Sequence, residues 1–432
     1  MPKKVDINIR HVTRVEGHGN IRVRATDGTI EEAQWEVPEA PRFFEAMVCG
    51  RGFRDIQTIV SRICGICSVT HSLAALKALE DALQVQVSEQ TQKLRILAHY
   101  GEQLESHSLH LGYLVAPDLL GQKSVLPLVE SHTDLVKTII AIHRVGNLMM
   151  ERLSGRKTHP VRLVPGGFSM LPSMVDLQEL KQQLEQTLPR LDLLAEAVAG
   201  LADGFPRFER DTEYVALMQP GSYPFYFGAI GSSDIDQQTP VRDFESVANE
   251  YVTPHSTAKW ARWHRDSYMV GALARFNLNS EQLLPPAKVV AKALGLEKGC
   301  CNPYWNNLAQ LVELVHIAHW AIQLLEELLV EGIRTEVPKV EPRAGVGVGA
   351  VEAPRGVLFH KYELDDNGHC VAANMCIPTN QNHANIQQDL EALLPQIIHQ
   401  EQDEIRRQLE MLVRAYDPCI SCSTHFLKVE FV

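Results

Sequence analysis

The first 36 residues alternate between apolar and polar side chains, with Val5, Ile7 and Ile9 at the first apolar positions. Alternation with a period of two is typical of strands that bury one face. Gly17 and Gly28 interrupt the alternation, as turn residues do. Residues 1–36 are therefore predicted to form a short antiparallel sheet or a set of hairpins.

From about residue 40 the apolar positions recur every three or four residues, which predicts helices. Residues 68–83 are an amphipathic example, with Leu73, Leu76 and Leu79 on one stripe. The pattern predicts a helical body over residues 40–335, with helices at 42–49, 53–62, 68–83, 87–113, 130–154, 176–202 and 304–333, and two more between 241 and 283 around Trp260 and Trp263.

Two stretches lack a helical period. Residues 212–240 are rich in Gly, Pro, Ser and Tyr, which favours a strand-and-loop insertion. Residues 336–380 contain valines separated by glycines, which favours strands or tight loops. A last long helix is predicted over about 383–415, because Pro418 follows it. The sequence thus predicts a mainly α fold with small β elements (α+β) and a single domain over residues 1–432, whose C-terminal helix and cysteine motif occupy 383–425.

The composition narrows the range of functions. Hydrophobic residues make up 45% of the 432 residues and charged residues 22%, as in globular soluble proteins. The net charge of −12 argues against a nucleic-acid partner. The chain start lacks the apolar run of a secretory signal, and the longest apolar stretch, residues 308–333, contains Glu313, Glu326 and Glu331. We expect a cytoplasmic protein with no membrane span.

The cysteines indicate a metal site. Their number, nine, is odd, which in a long chain without a secretory signal favours metal binding or catalysis over a disulfide framework. Cys64 and Cys67 form one Cys-x-x-Cys pair, and Cys419 and Cys422 form another near the opposite end of the chain. Four thiolates from both pairs can hold a soft metal. Spacing alone leaves open a structural zinc site, a catalytic metal site, or two unrelated pairs of buried thiols.

The first pair lies where a helix is predicted to begin. A helix N-terminus lowers the pKa of a thiol, so a thiolate is expected at Cys67. Arg62 and Arg54 would add positive charge if they fold close by. His71 follows one helical turn after Cys67, and a second histidine, His425, follows the last pair.

The residues around both pairs and in three further segments form a distinctive series. In chain order they are Arg14-Val15-Glu16-Gly17-His18-Gly19, Arg42-Phe43-Phe44-Glu45, Arg62-Ile63-Cys64-Gly65-Ile66-Cys67-Ser68-Val69-Thr70-His71, Glu352-Ala353-Pro354-Arg355-Gly356 and Asp417-Pro418-Cys419-Ile420-Ser421-Cys422-Ser423-Thr424-His425. The series resembles the motifs of the large, catalytic subunit of nickel–iron hydrogenases, in the same order and over nearly the whole chain. The resemblance implies that family's helical-bundle fold and the reversible heterolytic cleavage of H2 into protons and electrons.

The resemblance also implies a bimetallic centre. Four thiolates would hold a nickel ion, and a bridged iron would carry carbon monoxide and cyanide. By motif position, Cys64 and Cys419 would be terminal nickel ligands, while Cys67 and Cys422 would bridge nickel and iron. Sharing thiolates between two metals leaves the open position that catalysis needs.

Further residues acquire roles from the same resemblance. Cys419 would accept the proton from H2, and Glu16 would relay it outward. Arg355 would lie above the open site, steer H2 and hydrogen-bond to a cyanide. Pro378 and Thr379 would line the diatomic ligands.

The residues around the centre include His71 and several departures from the family pattern, among them the Thr-Asn-Gln-Asn run at 379–382 and the additional Cys376. His71 would hydrogen-bond to a bridging sulfur and tune the metal without binding it. Many relatives have an Asp-His pair in the helix after the first cysteines, where this chain has Glu105-Ser106-His107-Ser108. Asp417 would then be the only aspartate partner of Arg355.

A second ion is implied beside the centre. Glu45 and His425 resemble ligands of a buried magnesium ion, completed by the backbone carbonyl of Met375 and by water; iron is the alternative occupant.

The short length and the Ser-Cys-Ser-Thr-His ending are most similar to the cytoplasmic, bidirectional, NAD(P)-linked branch of the family. That branch implies an iron–sulfur small subunit and further subunits with iron–sulfur clusters, FAD and an NAD(P) site. Nickel-insertion factors and a maturation protease that removes residues 426–432 are also implied. The competing hypotheses are a non-catalytic scaffold subunit of a respiratory complex, which lacks these cysteines, and a structural zinc protein.

Overall fold

The N-terminal β element is an antiparallel sheet. In the computed structural model, which describes residues 4–425, three strands pair in the order β1-β2-β3: β1 (Lys4–Ile9), β2 (Asn20–Thr26) and β3 (Thr29–Glu36). Alternate side chains such as Val5 and Ile7 are buried, whereas their neighbours face outward. The predicted hairpins are confirmed.

Helices dominate the rest of the described chain, and the predicted mainly α fold is confirmed. The α-helices are α1 (Phe44–Val48), α2 (Phe53–Val60), α3 (Ser68–Leu83), α4 (Glu89–Leu109), α5 (Ala116–Leu119), α6 (Leu128–Ser131), α7 (Thr133–Ser154), α8 (Met174–Leu201), α9 (Phe244–Val247), α10 (Ala272–Asn279), α11 (Pro285–Ala293), α12 (Asn306–Glu331), α13 (Pro378–Ile397), α14 (Gln402–Ala415) and α15 (Ile420–Ser423). A π-helical segment, His110–Val115, joins α4 to α5.

The remaining strands form small sheets among the helices. They are β4 (Leu163–Val164), β5 (Gly167–Phe168), β6 (Glu213–Met218), β7 (Ala229–Ser232), β8 (Asn249–Tyr251), β9 (Trp260–Arg262), β10 (Tyr268–Met269), β11 (Gly345–Ala353), β12 (Gly356–Leu364) and β13 (Cys370–Cys376). β11, β12 and β13 form an antiparallel sheet, and β10 pairs in parallel with β6, which pairs antiparallel with β7. The strands β6 and β7, and β11 to β13, confirm the prediction of strands in residues 212–240 and 336–380.

The glycines of β11 allow a strand to pack on a helix backbone. A Cβ atom at Gly345, Gly347 or Gly349 would lie only 2.1–2.3 Å from a backbone carbonyl oxygen of α3. No larger residue fits at such a distance. α3 is therefore buried around most of its circumference, and the expectation of one buried stripe was wrong. The beginning of α3, next to Cys67, is fixed by this packing.

Two further predictions were wrong. The stretch around Trp260 is not helical: Trp260 begins β9, and its buried ring packs near Tyr251 and His255, so tertiary packing outweighs the local periodicity. The last long helix is two helices, α13 and α14. Pro395 cannot donate a backbone hydrogen bond in the last turn of α13, which weakens the helix where it ends.

One cluster of buried apolar side chains runs continuously from Val5 in β1 to Cys422 in α15. The single-domain organisation stays a prediction, which this continuous core favours. Residues Pro303–Glu331 are long and apolar enough to cross a bilayer, but 78% of the relevant window is buried inside the protein. This segment therefore packs as a core helix.

Candidate metal centre

The two cysteine pairs meet in one buried cluster. Cys64 lies in the turn after α2 and Cys67 directly precedes α3, while Cys419 directly precedes α15, which contains Cys422. The sulfur atoms of Cys64 and Cys419 are 3.7 Å apart, as are those of Cys67 and Cys422. Cys419 and Cys422 are in direct sulfur–sulfur contact, and all four sulfurs lie within 4.8 Å of one another. The hypothesis of two unrelated thiol pairs is wrong.

The pKa values of the Cys64 and Cys67 thiols, and the arginine that lies near them, differ from those predicted from the sequence. Burial raises the pKa of Cys67 well above its ordinary value, so the expected lowering by the helix N-terminus was wrong. Burial also acts against ionisation of Cys64, but the hydrogen bond with Cys67 and the charge of Arg355 outweigh it and lower the pKa of Cys64. Arg62 is exposed, and Arg54 donates to the carbonyl of Val340. The nearby cation is therefore Arg355.

Glu16 is hydrogen-bonded to the last cysteine loop. Its Oε2 accepts from the amide of Ser421 at 3.0 Å and lies 3.3 Å from Cys419 Sγ, while its backbone carbonyl accepts from the amide of Ile420 at 3.0 Å. Arg14, two residues earlier, is anchored by an ion pair with Asp118. The half-buried carboxylate is thus held directly against the sulfur predicted to carry a proton.

Arg355 lies beside the cluster and lines the same cavity as Cys67, Cys419 and Cys422. Its Nε donates to the backbone carbonyl of Asp417 at 2.5 Å, and its Nη2 donates to Asp417 Oδ1 at 3.0 Å. The buried Nη1 has no hydrogen-bond partner among residues 4–425. Asp417, the expected aspartate partner, therefore holds the guanidinium while leaving one donor free.

The turn that carries Arg355 is held by a buried ionic network. Arg275 donates to the carbonyls of Ala353 and Pro354 at 2.9 and 3.1 Å. Its remaining hydrogen bonds join it to Glu313 at 2.6 and 2.7 Å and to Glu352 at 3.0 Å. All three ionisable side chains are fully buried. This network fixes the position of Arg355.

A very small cavity, of about 10 Å³, lies against the sulfurs. Pro378 and Thr379, at the start of α13, line it together with Arg355, Cys419 and other residues. Thr379 Oγ1 accepts from the amide of Cys419 at 3.0 Å, so its own hydroxyl hydrogen stays available for donation. His71 also lines the cavity; its Nδ1 lies 3.2 Å from His360 Nε2, and burial lowers the pKa of His71 well below its ordinary value.

The four cysteines, Arg355 and Thr379 all lie in segments that match a known protein family. The family model described as nickel-dependent hydrogenase matches residues 42–152 and 232–425, and a model described as HoxL-like matches residues 6–40. The chain belongs to the nickel-dependent hydrogenases.

The sequence of this hydrogenase is similar to those of a sulfhydrogenase subunit and an NAD-reducing hydrogenase subunit. It is 34% identical to the sulfhydrogenase 1 subunit alpha of Pyrococcus furiosus, with 98% of each chain covered. It is 30% identical to the NAD-reducing hydrogenase HoxS subunit beta of Cupriavidus necator, with 96% of this chain and 94% of that one covered.

Solved structures agree with the family assignment. An NAD+-reducing [NiFe]-hydrogenase in the H2-reduced state matches with a TM-score of 0.88 and 30% identity, over 98% of this chain and 99% of that one. A [NiFeSe] hydrogenase of Desulfovibrio vulgaris Hildenborough, at 21% identity and a TM-score of 0.80, shares the fold. This chain is the catalytic large subunit of a nickel–iron hydrogenase, and the scaffold and structural-zinc hypotheses are wrong.

The residues present fit the nickel–iron group of this hydrogenase. Four thiols from two loops provide the soft donors that nickel binds. The unpartnered Arg355 Nη1 and the Thr379 hydroxyl supply hydrogen-bond donors beside the cavity next to the sulfurs.

The residues expected to bind magnesium also lie together. Glu45 Oε1 is 3.5 Å from His425 Nε2, and that nitrogen is 2.7 Å from the carbonyl oxygen of Met375. The other ring nitrogen, Nδ1, lies 3.0 Å from the carbonyl of Cys422. A neutral imidazole has one N–H, so two carbonyls facing its two nitrogens fit a cation at Nε2. Lys259 Nζ lies 3.7 Å from Glu45 Oε1.

Sequence analysis missed Arg42, which joins the two cysteine loops. Its Nη2 donates to the carbonyl of Ile63 at 2.6 Å and to that of Ser421, and its amide donates to the carbonyl of Thr424 at 2.6 Å. Its place in the motif that contains Glu45 was the available signal.

Glu102 was missed as well. Cys67, the residue preceding α3, makes no capping bond with its side chain. Instead, the fully buried Glu102 of α4 accepts from the amides of Val69 and Thr70 at 2.6 and 3.0 Å, and from the Thr70 hydroxyl. It supplies the cap of α3 from a distant part of the sequence.

Replacing Glu102 with alanine is expected to lower the free energy of unfolding by about 1–3 kcal/mol, because buried amide donors lose their acceptor. Urea unfolding of the apoprotein measures the change. Glu130→Ala, at an exposed position, is the matched control and should have little effect. Equal stability of the two variants would contradict the capping role.

Proposed function

We propose that this hydrogenase cleaves H2 with Cys419 as proton acceptor and Glu16 as first relay. When bound, the nickel–iron group, with carbon monoxide and cyanide on the iron, supplies the Lewis acidity and redox chemistry of heterolytic cleavage. Cys64 and Cys419 would be terminal ligands, and Cys67 and Cys422 bridging ligands. The observation that carries the proposal is the convergence of the four sulfurs within 4.8 Å.

The protein's own residues would move the proton. Cys419 Sγ would take the proton released from H2 and pass it over 3.3 Å to Glu16 Oε2. The amide of Ser421, 3.0 Å from the same oxygen, fixes the carboxylate in position. Arg355, held by Asp417, would steer H2 and bind a cyanide through its free Nη1. Pro378 and Thr379 would line the diatomic ligands, and His71 would tune a bridging sulfur.

Replacing Glu16 with glutamine keeps the size of the side chain and removes the proposed proton-accepting carboxylate. H2 oxidation is expected to fall about 100-fold, since general acid–base groups contribute at least this much. Nickel and iron contents should stay at their wild-type levels. The measurement is H2 uptake with an artificial electron acceptor, alongside metal analysis.

Glu39→Gln is the matched control for Glu16→Gln. Glu39, which follows β3, accepts through Oε2 from the amide of His18, two residues after Glu16. Glu39→Gln should retain activity. A Glu16→Gln enzyme with the wild-type rate and full metal content would refute the relay.

We propose magnesium as the second ion, held by Glu45, His425 and the carbonyl of Met375. One carboxylate, one carbonyl and one imidazole, completed by water, suit magnesium, which prefers oxygen ligands. The contacts of 2.7–3.5 Å among these groups support the proposal. Iron is the alternative occupant.

The electrons would leave through partner chains to NAD(P) in the cytoplasm. The 30% identity with a subunit named NAD-reducing hydrogenase HoxS and with an NAD+-reducing [NiFe]-hydrogenase structure supports this acceptor. We propose an iron–sulfur small subunit and further subunits with iron–sulfur clusters, FAD and the NAD(P) site.

Maturation would end with removal of the tail after His425. Residues 426–432 lie outside the described part of the chain. We propose that nickel-insertion factors act first and that a dedicated protease then cuts after His425. His425 is fully buried between two backbone carbonyls, which is the closed position that we propose for this end in the mature protein.

A further inference from the structure

Glu105 of α4 is a buried carboxylate without a role in the scheme above. Only 9% of the whole residue, backbone included, is exposed to solvent, and its Oε2 has no hydrogen-bond partner among residues 4–425. Its Oε1 lies 3.8 Å from Nε2 of His143 in α7. Ionisable groups are seldom buried without a partner, so this carboxylate calls for an explanation.

Glycine at position 146 brings His143 to this carboxylate. A Cβ atom at Gly146 would lie 2.6 Å from the amide nitrogen of Glu105 and 2.6 Å from the carbonyl oxygen of Gly101. Only glycine permits so close an approach of α7 to α4. His143, one turn earlier on α7, then has its Nδ1 3.2 Å from the carbonyl oxygen of Glu105.

This hydrogen bond selects the tautomer of His143. The carbonyl of Glu105 can only accept, so Nδ1 carries the hydrogen. In the neutral ring Nε2 is then a free acceptor, and it is the atom that faces Glu105 Oε1. The His143 side chain is 26% exposed, against 11% for Glu105, so the pair leads from the interior to solvent.

The charged groups of the metal centre act on Glu105. Burial raises the pKa of Glu105 to about 7; Arg355 opposes the rise, and Cys64 and Asp417 add to it. Burial lowers the pKa of His143, whose ring also faces Tyr113 at 6.3 Å. Near neutral pH, Glu105 can therefore bind and release a proton, and His143 is neutral and able to accept one.

We propose that Glu105 and His143 form a second proton outlet from the metal centre, separate from Glu16. The outlet rests on the proposed function, since it carries the proton that H2 cleavage releases. A proton that reaches Oε2 through water converts Glu105 to the neutral carboxylic acid. Rotation of the carboxyl group then turns this O–H toward His143, the proton passes to Nε2, and the carboxylate forms again. The resulting imidazolium releases a proton to solvent, which restores the neutral ring.

The test measures exchange between D2 and solvent protons in the complete enzyme, which requires no electron acceptor. The Glu16→Gln enzyme should retain a residual exchange rate. Adding His143→Gly should lower that residual rate about tenfold or more, as expected for loss of a positioned proton carrier. Free imidazole should restore it. Adding Glu105→Gln instead should give the same loss without rescue by imidazole.

His132→Gly is the matched control, because His132 is an exposed imidazole directly before α7. In the Glu16→Gln enzyme it should leave the residual exchange unchanged. Equal rates for the His143→Gly and His132→Gly double variants, no response to imidazole, or no residual exchange in Glu16→Gln would each overturn the outlet. Nickel and iron contents and the infrared bands of carbon monoxide and cyanide show that the centre is intact in each variant. A wild-type enzyme with these bands but without D2 exchange would overturn the proposed function as well.

Discussion

Replacing Cys419 with serine is expected to remove H2 cleavage and nickel binding together. A serine hydroxyl is a harder donor and is not ionised at neutral pH, so it cannot replace a thiolate on a soft metal. Loss of groups that merely support metal ligands costs about 10–100-fold, so loss of a ligand should exceed about 100-fold. The measurements are nickel per chain and H2 uptake.

Cys300→Ser provides the control for this prediction. Cys300 is a partly buried free thiol outside the sulfur cluster, and the variant should bind nickel and take up H2 at the wild-type level. The fold should survive both changes, because serine and cysteine have nearly the same shape. A Cys419→Ser enzyme with full nickel content and activity would disprove the assignment of this ligand.

Replacing Arg275 with methionine is expected to destabilise the protein by about 3–5 kcal/mol. The change leaves the buried carboxylates of Glu313 and Glu352 without their cation, and removal of one partner of a buried ion pair costs about this much. It also frees the carbonyls of Ala353 and Pro354, so the turn that carries Arg355 loses its anchor. The denaturant midpoint of the apoprotein measures the loss.

Arg265→Met is the matched control. Arg265 pairs with Asp211 and Asp234, but its side chain is 38% exposed. Exposed ion pairs contribute about 0–1 kcal/mol, so this variant should unfold close to the wild type. Similar midpoints for the two arginine variants would show that the buried network adds nothing to stability.

The metal centre could be predicted from sequence because its ligands lie in short segments with fixed internal spacing. Cys64 and Cys67, for example, are recognisable from ten consecutive residues. Glu102 and Arg42 were missed because their roles depend on contacts with distant segments: Glu102 caps α3 from α4, and Arg42 spans both cysteine loops. Periodicity in the sequence carries no information about such pairings.

The elements of the fold also differ in whether the sequence predicts them: local periodic patterns were predictive, whereas contacts with distant residues were not. Helices with long periodic patterns, such as α3, α7 and α8, were predicted to within a few residues. Trp260 was misplaced because its aromatic neighbours, Tyr251 and His255, hold it in a small sheet. Gly347 lies in β11, within the stretch predicted to form strands or tight loops. The reason why a glycine is needed there is visible only in three dimensions, because an added Cβ atom would lie 2.1 Å from the carbonyl oxygen of Ala78.

The paired sulfurs of Cys64 and Cys419 are 355 residues apart in sequence. A ribosome adding about 5–20 residues per second exposes the first cysteine loop many seconds before the last one has been made. During that interval the nascent chain contains only two of the four cluster cysteines, Cys64 and Cys67. The complete set of four sulfurs therefore exists only when translation has almost finished, so the centre can be filled only after synthesis of nearly the whole chain.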